Sequence, residues 1–175
     1  MTDLDGNPPD RSNTISIFNG PAPTVQTFKS EADEIEAVCA WLSAQLKEGV
    51  VAQEVGIFVR SSEQLPRARA AVEKAGIPFK KILGENIEAT STFASISTLH
   101  LAKGLEFRAV VVMACDDEVI PLQERIETVG DDADLQEVYD TERHLLYVAC
   151  TRARDFLLVT AVDPASEFLD DFSPR

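Results

Sequence analysis

Apolar positions in this chain fall into short continuous blocks that alternate with stretches of helical spacing. Thr24–Phe28 reads as a strand, and Ser30 then opens a helix, with Asp33 three residues on in the manner of a capping box. Ile35, Val38, Leu42 and Leu46 form the apolar stripe of that helix, and Gly49 ends it. Val55–Val59 is a continuous apolar strand closed by Arg60-Ser61-Ser62. A second helix is predicted from about Glu63 to Ala75, stopped by Gly76. Strands follow at Ile77–Leu83, Phe93–Leu99 and Ala109–Met113. In Glu142–Arg154 (E-R-H-L-L-Y-V-A-C-T-R-A-R), Leu145, Leu146, Val148 and Ala149 recur at helical spacing, and Phe156–Thr160 supplies a last strand. Helices alternating with short apolar strands imply an α/β fold, a mostly parallel sheet with helices on both faces.

Such a sheet carries its functional groups at the carboxyl ends of its strands. Arg60 stands at one such end and Lys103 follows another. Thr-Arg-Ala-Arg, with Arg152 and Arg154, lies at a strand's beginning, so the preceding helix must bring it round to join them. Spacing alone admits two readings of these arginines: a phosphate site suited to the guanidinium fork, or helix-end cations that suit the dipole. Lys103 and Glu106 could equally be an i,i+3 surface pair, and His100 a half-buried histidine with satisfied partners.

Composition narrows the class. The 175 residues are 45% hydrophobic, enough for one domain with a proper core. No apolar stretch spans a bilayer and the polar, acidic N-terminus is unlike a signal peptide, so a soluble cytoplasmic protein with no membrane partner is expected. Cys39, Cys115 and Cys150 are widely separated and read as small buried residues, neither disulfide framework nor zinc site. A net charge of −14 argues against the whole surface being a nucleic-acid footprint. The charge is uneven, however: eleven acidic residues and one base, Arg125, lie between Asp116 and Glu142. Elsewhere the balance leaves room for a local basic groove. The organisation expected is a flexible leader (1–20), one domain (21–165) with an acidic loop at about 116–138, and a C-terminal tail (166–175).

Two long motifs make a resemblance specific. Ser97–Phe107 (S-T-L-H-L-A-K-G-L-E-F) and Glu142–Arg154 resemble motifs V and VI of the UvrD/Rep/PcrA class of superfamily 1 DNA helicases, and G-I-F-V-R-S-S-E-Q resembles motif IV. The likeness runs from about residue 24 to 163. It implies the second RecA-like (P-loop NTPase-type) motor lobe, 2A, with ATP in a cleft shared with an N-terminal RecA-like lobe that supplies the Mg²⁺ ligands. Arg60 and Arg152 would be arginine fingers on the γ-phosphate. Glu106 would hold the ribose, with Gly104 at the nucleotide. Arg143 would orient the nucleotide or pair with local acids. Thr98, His100 and Lys103 would line the track for single-stranded or partially duplex DNA.

The chain also departs from that class. No G-x-x-x-x-G-K-[ST] occurs, since none of the eight glycines is followed by lysine, and this lobe alone should not hydrolyse ATP. The aromatic that often precedes the motif IV arginine is replaced by Val59, while Phe58 should point to the other face. Only residues 61–96 separate Arg60 from Ser97, so the 2B subdomain inserted there in larger helicases is absent. Leu101 replaces a small residue common in motif V. The competing expectation is a stand-alone RecA-like module that has lost its motor partner and binds a protein through the acidic segment.

Overall fold

The computed structural model describes residues 21–81, 92–130 and 132–172. Six strands form one sheet in which every pairing is parallel, in the order β1-β6-β5-β2-β4-β3. They are β1 (Thr24–Phe28), β2 (Val55–Val59), β3 (Phe79–Lys81), β4 (Ala94–Thr98), β5 (Phe107–Val112) and β6 (Ala153–Val162). The fold is RecA-like α/β. β1 and β2 lie where the apolar blocks put them. β6 is longer at both ends than its apolar core, so Ala153 and Arg154 of the Thr-Arg-Ala-Arg stretch are already strand. The predicted strand Ile77–Leu83 is observed as the short β3, and its last two positions lie outside the described residues, as do residues 1–20.

Alternation along the central strands feeds two cores. Val55, Ile57 and Val59 face α1 (Glu31–Lys47) and α2 (Leu65–Lys74), together with Ala109, Val111, Met113 and Leu158. Phe58, Val110, Val112, Leu157 and Val159 face the other way, toward α4 (Asp132–Cys150) and the 3-10 turn Leu99–Leu101. Burial on both sides is why these strands read as continuous apolar runs. Phe58 is fully buried and meets Phe107 edge to face at 6.0 Å, on the opposite face from Val59, as the two-residue period requires. Gly56 makes room for that ring: a Cβ there would lie 2.5 Å from Phe107 Cδ2.

The helix signals hold in detail. Ser30 Oγ accepts the Asp33 amide at 3.2 Å and donates to its carboxylate at 2.7 Å. Gly49 and Gly76 follow their helices at φ +87° and +67°, a region that favours glycine. A polar seam ties α1, α2 and the sheet. Arg67 binds Glu34 through Nε and Asp116 through Nη1 at 2.6 Å, while Glu34 also accepts Thr160 Oγ1 at 2.6 Å and the Ala114 amide at 3.1 Å. Asp116 accepts the Val162 amide at 2.6 Å, so one guanidinium serves two carboxylates that hydroxyl and amide donors also satisfy.

The acidic segment is a correction to the sequence reading. The expected irregular loop at 116–138 contains the five-residue helix α3 (Gln123–Glu127) and the first turns of α4. Leu135, Val138, Tyr139, Glu142, Leu146 and Ala149 turn inward at helical spacing. The stripe was hidden because a glutamate, Glu142, holds one of its inward positions. Asp132 and Asp134 in the first turn suit the helix dipole, and Gln136 donates to Asp140 one turn on. The packed unit also continues past residue 165: Phe168 is fully buried and Leu169 nearly so, in a 3-10 segment Glu167–Phe172.

Candidate functional site

Arg60 emerges from the carboxyl end of β2 only 3% exposed, beneath α4. There it forms a two-pronged pair with the fully buried Glu142: Nε to Oε2 at 2.5 Å and Nη2 to Oε1 at 2.6 Å. Glu142 also accepts Arg125 Nη1 at 2.8 Å and the Leu122 amide at 3.3 Å. Burial opposes charge on this carboxyl, yet Arg60, Arg125 and the Leu122 amide together hold its pKa below the ordinary value. A carboxyl depressed in the folded state stabilises the fold above its unfolded pKa, and that contribution disappears as pH falls through the lower folded value. The stability gap between the wild-type chain and Glu142→Gln should therefore be widest near neutrality and close as pH drops below about 4. Urea melts taken from pH 7 down to 3 measure it; a gap that stays constant would contradict the assignment.

Thr98 and His100 lie beside this cluster, at the carboxyl end of β4 and in the turn that follows. His100 is held below its ordinary pKa, first by partial burial and then by the Arg60 and Arg125 cations, with Glu142 acting in the opposite direction. At neutral pH its ring is therefore largely uncharged, a hydrogen-bonding group more than a fixed cation. Lys103 and Gly104 are exposed on the loop that returns to β5, with Gly104 at φ +81°.

Arg152 is elsewhere. Its Nε donates to Val148 O at 3.0 Å, Nη1 to Leu105 O at 3.2 Å and Nη2 to Thr151 Oγ1 at 3.2 Å, which ties the end of α4 to the approach of β5. This is the amino end of the sheet, where Phe107 pairs with Ala153. Arg60 sits at the other end, beyond a five-residue strand of about 16 Å at ~3.3 Å per residue. The helix does not bring the Thr-Arg-Ala-Arg stretch round to Arg60, so the expected convergence of Arg60 and Arg152 is corrected. Arg152 instead lines a pocket of about 620 Å³ with Glu106, Tyr147, Thr151 and Arg154. Arg154 is exposed on β6 and meets Asp155 at 3.4 Å.

Arg143, the residue after Glu142, projects from the outer face of α4. Its guanidinium lies 4.5 Å over the Phe168 ring and Nε donates to Asp171 at 2.9 Å, a pair exposed to solvent on both sides. It lines a second pocket of about 520 Å³, which shares Tyr147 and Phe172 with the first. Sequence reasoning missed Glu142 and Arg125 as members of the Arg60 cluster. The one available signal was a glutamate on the inward stripe of a helix, since a buried carboxylate needs a cation.

Residues 84–163 match the family described as the UvrD-like helicase C-terminal domain. The matched stretch, a little under half of the chain, is similar to a UvrD-like helicase C-terminal domain. Among relatives, the ATP-dependent DNA helicase UvrD1 of Mycobacterium leprae is 36% identical over 99 residues, covering 50% of this chain and 12% of that protein. The ATP-dependent DNA helicase PcrA of Staphylococcus aureus is 38% identical over 71 residues, covering 41% of this chain and 9% of that one. The chain thus spans about a tenth of these relatives' length. In fold it is similar to the C-terminal domain of a possible DNA helicase from a Lactobacillus, at TM-score 0.64 and 23% identity, over 88% of this chain and 82% of the other. The UvrD-like match includes the motif V and VI stretches but leaves Arg60 outside it, and the Arg60–Glu142 pair adds a side-chain link to the ladders that join β2 to β4 and β5 of the matched region. Among the described residues, no helix is long and apolar enough to cross a membrane, and no three His, Cys, Asp or Glu side chains converge as metal ligands.

Proposed function

We propose that this UvrD-like domain is the second motor lobe of an ATP-dependent DNA helicase or translocase, acting on ATP in a cleft completed by an N-terminal RecA-like lobe. The observation that carries the reading is the two-pronged Arg60–Glu142 pair, which fixes a guanidinium at the carboxyl end of β2 against the inward face of α4, the helix whose outer face carries Arg143. In phosphoryl transfer the developing charge spreads over the phosphoryl oxygens, and a guanidinium held in place stabilises it without reorganising. Arg60 keeps its Nη1 for that contact, since the carboxylate takes only Nε and Nη2. Arg143 is the second cation we assign to the phosphates. Its hold on Asp171 is a solvent-exposed pair of the kind that is readily exchanged.

Arg152, with its guanidinium given to two carbonyls and a hydroxyl, is assigned to holding α4 against the β5 approach. Glu106 and Gly104 remain the groups proposed for the nucleotide. The carboxylates that would hold Mg²⁺ are assigned by the resemblance to the first lobe, and the ion would supply charge neutralisation at the phosphates. Phe58 and Val59 are both fully buried, so adenine stacking is not assigned to either.

Thr98, His100 and Lys103 are the proposed single-strand track, with hydroxyl, imidazole and ammonium groups that bind phosphates without reading sequence. One loop, 98–106, runs from that track to Glu106, and one helix, α4, runs from Glu142 to the turn that carries Arg152. Closure on ATP would therefore shift the grip on DNA, and hydrolysis would release it. The acidic stretch, folded into α3 and α4 and tied to Glu142, lends no separate support to a stand-alone docking module. The test is ATP turnover by a two-lobe protein carrying this domain, with and without single-stranded DNA. Arg60→Ala should abolish the stimulated rate, and near-normal turnover would refute the reading.

A further inference from the structure

Arg125 lies on α3 and is the sole base between Asp116 and Glu142. It shares its acceptor with Arg60: Glu142 Oε1 takes Arg125 Nη1 at 2.8 Å and Arg60 Nη2 at 2.6 Å. The second oxygen is shared as well, between Arg60 Nε at 2.5 Å and the Leu122 amide at 3.3 Å. Each carboxylate oxygen is thus divided between the β2 arginine and the excursion that connects β5 to α4. The partners differ in freedom. Arg60 and Glu142 are 3% and 0% exposed, whereas the Arg125 side chain is 38% exposed and can leave without opening the core. Ile120, fully buried, and Leu122, bonded to Glu142, tie the excursion to that place, so displacement of α3 reaches the carboxylate directly.

We propose that Arg125 is a positioning residue for Arg60, acting through Glu142, so that the excursion from Asp116 to Thr128 sets how the Arg60 guanidinium is presented. The role in turnover rests on the reading of Arg60 as a phosphate-facing group; the coupling itself does not. With Arg125 in place, Glu142 Oε1 serves two guanidinium groups and its grip on Arg60 is divided. With Arg125 withdrawn, Arg60 takes that oxygen alone and is drawn toward Glu142, away from the position it would offer to a phosphate.

Two measurements test this. In the 175-residue chain, the Arg60 Nε–H resonance followed by NMR should move in Arg125→Ala. It should stay in place in Arg69→Ala, which removes an exposed cation from α2. In the two-lobe protein, Arg125→Ala should lower kcat for ATP about tenfold with KM changed little, because displacements of about 1 Å cost up to roughly a hundredfold. Arg125→Lys should restore part of the loss by returning a charge without the fork. An unmoved Arg60 resonance overturns the coupling, and a moved resonance with unchanged kcat overturns the positioning role. If the wild-type two-lobe protein turns over no ATP, the reading of Arg60 fails and the positioning role falls with it, while the resonance still decides the coupling.

Discussion

Arg67→Ala should cost the domain about 3–5 kcal/mol and lower its melting temperature by about 10 °C. Arg67 is only 6% exposed, and it is the cation of a seam whose anions are the fully buried Glu34 and the partly covered Asp116. Removing the guanidinium leaves Glu34 with the Thr160 hydroxyl and the Ala114 amide but no opposite charge. The loss of a partner, more than the loss of the bond, sets the size of the effect, because the remaining charge keeps its desolvation cost. Arg69→Ala two residues along is the control: its pair with Glu73 is exposed at both ends and should matter little. Thermal denaturation of the two variants followed by circular dichroism makes the comparison. Equal, small shifts would mean that the seam does not hold α1 and α2 to the sheet.

The second large effect concerns turnover. Arg60→Ala in the two-lobe protein should reduce DNA-stimulated ATP hydrolysis by about three orders of magnitude, the lower range found when an arginine finger is lost. The variant also leaves Glu142 buried with only Arg125 and the Leu122 amide, so some stability is lost with it. Arg60→Lys separates the two contributions. A lysine keeps a charge beside Glu142 but cannot bind the carboxylate with two prongs and still offer a third donor in the same plane. Stability should therefore recover more than turnover does. Recovery of both to the same extent would assign Arg60 to holding the fold alone.

The sheet was legible in the sequence because its strands are buried on both faces. Blocks such as Val55–Val59 and Ala109–Val112 carry no polar interruption, and glycines mark the ends of α1 and α2. The first half of α4 was not legible, since its inward stripe runs through an acidic surface and uses Glu142 where an aliphatic residue would announce a helix. The identity of the charged groups was legible and their assembly was not. Arg60 and Arg152 both stand at strand termini in the sequence, but strand termini come in two kinds. Arg152 precedes its strand and so belongs to an amino end, and only its bonds to the Val148 and Leu105 carbonyls show that α4 leaves it there. Arg60 and Glu142 are 82 positions apart, and no local pattern joins them.

The central claim is that the phosphates meet cations from the carboxyl end of β2 and the adjacent turn of α4, with Arg152 outside that set. Single-turnover ATP hydrolysis by the two-lobe protein on single-stranded DNA, with Arg143→Ala and Arg152→Ala compared side by side, tests it most directly. Arg143→Ala should slow the chemical step by about a hundredfold or more, and Arg152→Ala should leave that step within about tenfold of wild type while lowering thermal stability. A larger loss of the chemical step in Arg152→Ala than in Arg143→Ala would contradict the account.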